Sequence, residues 1–143
     1  MQRHPEPDIQ AHNILRLTGF LDDPALRVLQ NSHLFHVCLS QTEGWGHSIV
    51  EAMSTGAVTL TVDAPPMNEL VDSTRGLLVP CVVSGSQRLA TLYEFDEDAL
   101  QATIQRAMAM TSQQCQLLGM KARAWFLRNK QGFPDRLAAA LHA

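Results

Sequence analysis

The sequence predicts an α/β domain with a Rossmann-like, mainly parallel sheet of about four strands, followed by C-terminal helices. Short apolar runs rich in β-branched residues alternate with helical patterns in the first half of the chain, which is typical of parallel sheets. From Asp96 onward, apolar residues recur every three or four positions, as in packed helices. A chain of 143 residues, with 45% hydrophobic and 17% charged residues, is typical of one globular domain.

The elements of the sheet can be placed in order along the chain. Residues 1–12 carry two prolines and are expected to be a disordered or linking segment, so the domain covers residues 13–143. The predicted strands are Asn13–Thr18, Leu34–Leu39, Val58–Val62 and a last strand that starts at Gly76. The predicted helices are one from Asp23-Pro24 to Gln30, one from His47 to Ser54 that stops at Gly56, and a short one over Met67–Val71.

The C-terminal part is predicted to contain a loop and then three helices. Residues 81–95 mix valines with glycine and serine and are predicted to form the loop. Asp96 can cap the first helix, Ser112 can cap the second, and Phe133, Leu137 and Leu141 mark a third.

Charge and cysteine content argue against several classes of function. A net charge of −3 and a pI near 6.0 leave no broad basic face, so nucleic acid is not an expected partner. Cys38, Cys81 and Cys115 form no CxxC pair, which argues against a disulfide framework and a structural zinc site and favours a reducing cytoplasm. No apolar run has the length of a signal-peptide core or a membrane span.

The segment Ser40–Met53, SQTEGWGHSIVEAM, carries the main functional signal, because it joins a strand's carboxyl end to a helix's amino end. Ligands bind at that edge of open α/β sheets. Gly44 and Gly46 allow close approach of the backbone to a ligand, and free N–H groups at the helix start favour phosphate. Glu43 is expected at the strand tip. Glu51 lies about one helical turn into the helix, with oxygens suited to a diol such as ribose.

This segment and the residues after it resemble the C-terminal, donor-binding domain of family 4 retaining glycosyltransferases, which use nucleotide sugars and have the GT-B fold. The positions that match the family pattern are Ser40, Glu43, Gly44, Trp45, Gly46, Glu51, Ala52, Met53, Gly56, Glu69 and residues 76–79. The resemblance covers nearly all of the chain. The sequence does not include the family's first two strand–helix units or its N-terminal domain, so we expect a domain truncated at its N-terminal side.

The resemblance implies a role for each matching residue of the motif. Glu43 would be the catalytic carboxylate, which stabilises positive charge on the donor sugar, whereas the residues alone also allow a helix cap. Gly44, Trp45 and Gly46 would bind the donor, although Trp45 is expected to pack under the loop. His47 departs from the family pattern, but at the helix start it could donate a hydrogen bond to the donor phosphate, or else be structural or exposed. Glu51 would hold the ribose, or else be a solvated helix residue.

Three further positions are candidates by resemblance or by placement. Ser40, Asn68 and Glu69 are expected near the same edge of the sheet, with capping of the short helix as the alternative for Glu69. Arg75 either replaces part of the family's missing diphosphate-binding pair or lies on the surface. No metal site and no cofactor other than the donor are implied.

The function implied is transfer of a hexosyl group from a nucleoside diphosphate sugar to an acceptor hydroxyl, with retention of configuration. The acceptor glycan or glycolipid would bind to the missing N-terminal domain, in the cytoplasm or at the inner membrane face, and this chain alone would be weak or inactive. One alternative is a non-catalytic remnant or binding subunit that completes a partner chain. Another is a GT-B sugar-nucleotide epimerase, against which the Glu-Gly-Trp-Gly and Glu-Ala-Met pattern argues.

The missing strands also affect the expected topology. In the family's strand order, 3-2-1-4-5-6, the strand Asn13–Thr18 belongs at the far edge of the sheet. We therefore expect it either to move beside Leu34–Leu39 in a rearranged four-stranded sheet, or to leave that edge open to a homo-oligomer or a partner chain.

Overall fold

The structure, a computed structural model, describes residues 11–142, so the predicted linking segment lies almost entirely outside it. The elements are α1 (Asp23–Asn31), β1 (Phe35–Cys38), α2 (His47–Thr55), β2 (Val58–Val62), α3 (Met67–Leu70), β3 (Leu77–Val79), β4 (Val82–Gln87), β5 (Ala90–Glu94), α4 (Glu97–Met108) and α5 (Ser112–Leu141). The predicted α/β fold with C-terminal helices is therefore confirmed.

Strands β1, β2 and β3 form the central sheet, in that order and all parallel. β2 is buried along its whole length, as expected for a strand covered on both sides. Val58 of β2 pairs with Phe35 of β1, and Leu60 pairs with Leu77 of β3. Because the strands are parallel, the loops that follow them meet at one edge of the sheet.

Two apolar clusters hold the helices against β2. The first joins β2 to α2, α3 and α5, and its fully buried members are Ile49, Met53, Val62, Met67, Val71 and Ala122. The second joins β2 to α4 and the start of α5 through Val58, Leu60, Ala107 and Cys115. These contacts fix the start of α2 relative to the carboxyl end of β1.

Helix α5 crosses the end of α2 at a contact between two glycines. Gly56 ends α2 in the left-handed conformation, with a φ of 77°, as its predicted role at the helix end requires. A Cβ atom added to Gly119 would overlap the carbonyl group of Gly56. The two helix backbones therefore touch, and only glycine fits at position 119 in this packing.

Side-chain caps start three of the helices close to the predicted positions. Asp96 caps α4 as expected, and its carboxylate accepts a hydrogen bond from the N–H of Ala99 at 2.6 Å. α1 is capped by Asp22 and α5 by Thr111, each one residue earlier than predicted. The difference arises because the neighbouring residue also carries a side-chain oxygen that can act as a cap.

The cap of α4 supports a prediction about stability. Asp96→Ala should lower the free energy of unfolding by about 1 kcal/mol, because the N–H of Ala99 loses its partner. Urea denaturation of both proteins measures this difference. Asp98→Ala is the control, since Asp98 lies in the first turn but is not the cap residue. Equal losses in the two variants would assign the effect to charge at the helix start instead of to the cap.

The predicted strand over Asn13–Thr18 is wrong. These residues are irregular and exposed, and within residues 11–142 no fourth strand joins the parallel sheet. A strand needs hydrogen bonds to a neighbouring strand, and residues 13–18 do not pair with the free edge of β1. Leu15 and Leu17 instead line a cleft beside β1. The rearranged four-stranded sheet is therefore not formed, and β1 remains an edge strand.

The predicted loop over residues 81–95 is also wrong, because this segment forms an antiparallel hairpin of β4 and β5. Its register is irregular between Val83 and Gly85, which breaks the alternation that identifies a strand in sequence. The N–H of Tyr93 in β5 donates to the carbonyl oxygen of Gln41 at 2.9 Å. The hairpin thus contacts the loop that follows β1.

The second and third predicted C-terminal helices are a single helix, α5, which continues through Pro134. Proline lacks an N–H group and removes one backbone hydrogen bond, yet the helix continues past it. Arg136 donates to the backbone oxygen of Asn129 at 2.9 Å and to its side-chain oxygen at 2.7 Å. These bonds bridge the turn around Pro134 and help the helix to continue.

Candidate functional site

The loop between β1 and α2 carries the predicted motif at the carboxyl edge of the sheet. Gly46, the residue before α2, is left-handed with a φ of 76°. This backbone conformation favours glycine, and an added Cβ atom would also lie 2.8 Å from Cδ1 of Leu70 in α3, so that side chain would have to shift. An added Cβ at Gly44 would meet nothing within 4 Å, which leaves this part of the backbone open.

Glu43 is half-buried in this loop and is held by Ser40. The hydroxyl of Ser40 donates a hydrogen bond of 2.5 Å to Oε1 of Glu43. The residue before α2 is Gly46, and no side chain caps the helix, so the interpretation of Glu43 as a helix cap is wrong. The first N–H groups of α2, from His47 onward, are consequently not occupied by a cap and favour an anion nearby.

Glu51 is exposed on α2 and is paired with a residue of α1. Nε2 of Gln30 donates a hydrogen bond of 2.8 Å to Oε2 of Glu51. Glu51, Gln30, Ser48 and Cys38 line a cleft of about 410 Å³ beside β1. A carboxylate held on one oxygen keeps lone pairs for further donors, such as the hydroxyl groups of a sugar.

Cys38 ends β1 and is affected by the charges of both glutamates. Burial raises the pKa of its thiol, the hydrogen bond with Ser48 lowers it, and the negative charges of Glu43 and Glu51 raise it further, so the net shift is upward. The thiol therefore stays neutral in this position. The charges of Glu43 and Glu51 both act on this thiol, so both carboxylates lie near the end of β1.

The two remaining residues of the motif are open to solvent. Trp45 is 48% exposed, so the expectation that it packs under the loop is wrong. His47 is exposed at the first position of α2. An exposed aromatic ring beside an uncapped helix start is suited to contact with a ligand.

The segment after β2 brings Asn68 and Glu69 to the same edge of the sheet. Nδ2 of Asn68 donates to Oδ1 of Asp63 at 3.1 Å, and Asp63 directly follows β2. Glu69 is exposed, and no side-chain hydrogen bond caps α3 at its first residue, so the capping alternative for Glu69 finds no support. Asn68 is tied to the strand end, whereas the carboxylate of Glu69 is open to solvent.

Arg75 is not available to a ligand at this edge of the sheet, because its guanidinium is engaged elsewhere. Its guanidinium donates to the backbone oxygens of Leu70 at 2.7 Å and Glu69 at 3.2 Å, and it pairs with Asp72 at 2.5 Å. The side chain is 15% exposed and lies over the ring of Trp125. Arg75 thus holds the end of α3 and does not take the place of the family's diphosphate-binding pair.

Comparison with known proteins places this site in a family. The model of the family described as glycosyl transferases group 1 matches residues 8–117, which is more than half of the chain. The chain belongs to this family. The resemblance seen in the motif is therefore confirmed, and the structure corresponds to part of a GT-B-like domain.

Two similar proteins are much longer than this chain. The GDP-mannose:cellobiosyl-diphosphopolyprenol alpha-mannosyltransferase of Xanthomonas oryzae pv. oryzae (strain PXO99A) is 44% identical over 55 residues, which are 38% of this chain and 14% of that protein. A chain in the crystal structure of the GtfA/B complex matches with a TM-score of 0.59 and 19% identity, over 87% of this chain and 24% of that chain. The second likeness concerns the fold alone. The chain spans less than a quarter of the length of either protein.

The described part of the chain contains neither a metal-binding cluster nor a membrane-spanning helix. Within residues 11–142, no group of three or more His, Cys, Asp or Glu residues is placed to hold a metal ion. Over the same range, no helix combines the length and the apolar character needed to cross a membrane.

The structure adds three residues to the site of this glycosyltransferase family member. Cys38 and Asp63 end or follow the strands that lead into the site, so the rule that ligands bind at strand ends could have found them. Gln30 contacts Glu51 across 21 positions, and no local pattern in the sequence predicts that pair.

Proposed function

We propose that this chain holds the nucleotide-sugar donor of a retaining glycosyltransferase, which transfers a hexosyl group from a nucleoside diphosphate sugar to an acceptor hydroxyl. The observation that carries this proposal is the Glu43 carboxylate, which is held by Ser40 and leaves the start of α2 uncapped. Membership of the glycosyl transferases group 1 family supports the same chemistry.

Each part of the site has a role in this proposal. The negative charge of Glu43 stabilises the positive charge that develops on the sugar ring as its bond to the diphosphate breaks. The backbone of Gly44 and Gly46 and the N–H groups at the start of α2 bind the sugar and the diphosphate, with His47 as an additional donor. Glu51, oriented by Gln30, accepts hydrogen bonds from the ribose hydroxyls.

The curated relative suggests a donor and an acceptor class. Its name gives GDP-mannose as the donor and a diphosphopolyprenol-linked sugar as the acceptor. We therefore propose GDP-mannose as the first donor to test, and a glycan or glycolipid acceptor at the cytoplasmic face of a membrane. The acceptor would bind to a part of the protein outside this chain, so the chain alone would be a weak or inactive catalyst. No metal cofactor is part of this proposal.

A titration of the chain with GDP-mannose, UDP-glucose and ADP-glucose tests donor binding. Amide shifts should cluster in residues 40–51, with a Kd no better than roughly 0.1 mM because Arg75 is engaged with Asp72 and does not neutralise the diphosphate. Glu51→Ala should weaken binding about tenfold, since the ribose loses a charged acceptor. The control is Glu97→Ala, which removes an exposed glutamate at the start of α4. Tight binding unaffected by Glu51→Ala would remove the ribose role.

The exposed edge of β1 favours a second candidate function, a binding subunit that completes a partner chain. β1 lies at the edge of the parallel sheet, and Val37 is 56% exposed there. A strand of another chain could pair with this edge. The coding sequence upstream of Met1 distinguishes the candidates, because an in-frame stretch that encodes the family's missing strands favours the enzyme.

A further inference from the structure

We propose that a second site, outside the donor loop, binds a phosphate group. Three basic residues, Arg75, Lys121 and Arg128, line one cavity of about 240 Å³ together with Thr74 and Trp125. None of these residues lies within the segment Ser40–Met53 that carries the donor motif. The site is therefore additional to the proposed donor site and does not depend on it.

Two of the cations come from one face of α5. Lys121 and Arg128 are seven residues apart, which is two helical turns, so both side chains lie on the same side of the helix, and Trp125 lies between them. Both residues are exposed. Within residues 11–142 neither side chain forms a hydrogen bond or an ion pair. Each is thus available to a ligand.

Arg75 forms a fixed third wall of the cavity. Its Nε, Nη1 and Nη2 atoms donate to Leu70, Asp72 and Glu69, and its Cζ lies 5.3 Å from the centre of the Trp125 ring. Each Nη atom carries two N–H groups, and one of each pair is used, so two N–H groups remain for an anion. A guanidinium held in this way binds a ligand with little loss of side-chain entropy.

The charge around this cavity is positive, although the chain as a whole is negative. The three cations that line the cavity and the carboxylate of Asp72, which pairs with Arg75, together carry a charge of +2, whereas the whole chain has a net charge of −3. Burial raises the pKa of Asp72, but hydrogen bonds from Thr74 and the charge of Arg75 lower it overall, so this carboxylate stays ionised at neutral pH. At neutral pH the cavity therefore keeps its surplus of two positive charges.

The types of donor match phosphate better than a carboxylate. Arginine presents parallel N–H groups to two oxygens of one phosphate, and lysine adds a mobile point charge for a third oxygen. The phosphate could belong to a soluble phosphate or phosphate ester, or to the headgroup of an anionic lipid. In either case the group that enters the cavity is a phosphate with one or two negative charges.

Titration of the full chain with inorganic phosphate, at an ionic strength held constant with sodium chloride, tests the site. Saturable amide shifts are expected at residues 74–75 and 121–128. The double variant Lys121→Ala/Arg128→Ala should weaken binding about tenfold or more, because two charge-assisted contacts are lost. Lys130→Ala, an exposed lysine on the same helix outside the cavity, should leave the affinity unchanged. Circular dichroism verifies that each variant is folded.

A second arm identifies the source of the phosphate. If the chain sediments with phosphatidylglycerol vesicles but not with phosphatidylcholine vesicles, and the double variant sediments with neither, the phosphate belongs to a lipid headgroup. Saturable phosphate shifts without vesicle binding assign a soluble phosphate. Shifts that sodium chloride reproduces, equal affinity of the double variant, or no binding in either arm would overturn the proposal. Shifts at residues 44–48 report the donor loop separately, so the two sites can fail independently.

Discussion

Glu43→Gln, introduced into a complete enzyme that contains this domain, is expected to lower turnover by about a hundredfold or more. The substitution keeps the shape of the side chain and the acceptor for Ser40 but removes the negative charge. In the proposed mechanism that charge matters most when positive charge develops on the sugar ring. The affinity for the donor should stay within a few fold, because the loss falls on the transition state. Steady-state kinetics with varied donor separates the two quantities.

Two further variants make this test specific. Ser40→Ala removes the hydrogen bond that holds Oε1 of Glu43 but keeps its charge, so a smaller loss of turnover, about a few fold to tenfold, is expected. Glu94→Gln removes the charge of an exposed glutamate in β5 and should leave turnover unchanged. Near-normal turnover of Glu43→Gln would reduce Glu43 to a residue that only shapes the loop.

The elements that flank the site could be predicted because their signals are local. β2 is predicted to the residue over Val58–Val62, since an apolar, β-branched run follows the glycine that ends α2. α2 is predicted to within one residue, because Gly56 is suited to the left-handed conformation just past a helix. The positions of Glu43 and Glu51 around the start of α2 follow from the same two signals.

The errors occur where a structure depends on residues that are distant in the sequence or not in it. The strand expected at Asn13–Thr18 does not pair with the free edge of β1, although its own residues are compatible with a strand. The hairpin of β4 and β5 is hidden by an irregular register, and its contact with the site runs from Tyr93 to Gln41. The pair of Gln30 and Glu51 is likewise a consequence of packing between α1 and α2.

Gly119→Ala is expected to have the largest effect on stability, a loss of about 3 kcal/mol or more in the free energy of unfolding. The new Cβ atom would overlap the carbonyl group of Gly56, which is part of a helix end and cannot move as a side chain can. α5 would have to separate from α2, which would expose part of the cluster around the fully buried Ala122. At a solvent-exposed position inside a helix, a change from glycine to alanine stabilises the protein by about 1 kcal/mol. The sign of the measured change therefore tests whether Gly119 contacts Gly56.

Gly132→Ala provides the matched control on the same helix. There the added Cβ atom would approach only Nη1 of Arg136, at 2.7 Å. The hydrogen bonds to Asn129 come from Nη2, so a small shift of this long side chain can relieve the contact and keep them. This variant should therefore be neutral or more stable by up to about 1 kcal/mol. Urea denaturation of the two variants beside the original chain measures both changes. If Gly119→Ala proved as stable as Gly132→Ala, α5 could not cross α2 at Gly56, and the positions of Trp125, Lys121 and Arg128 beside Arg75 would need to be reassigned.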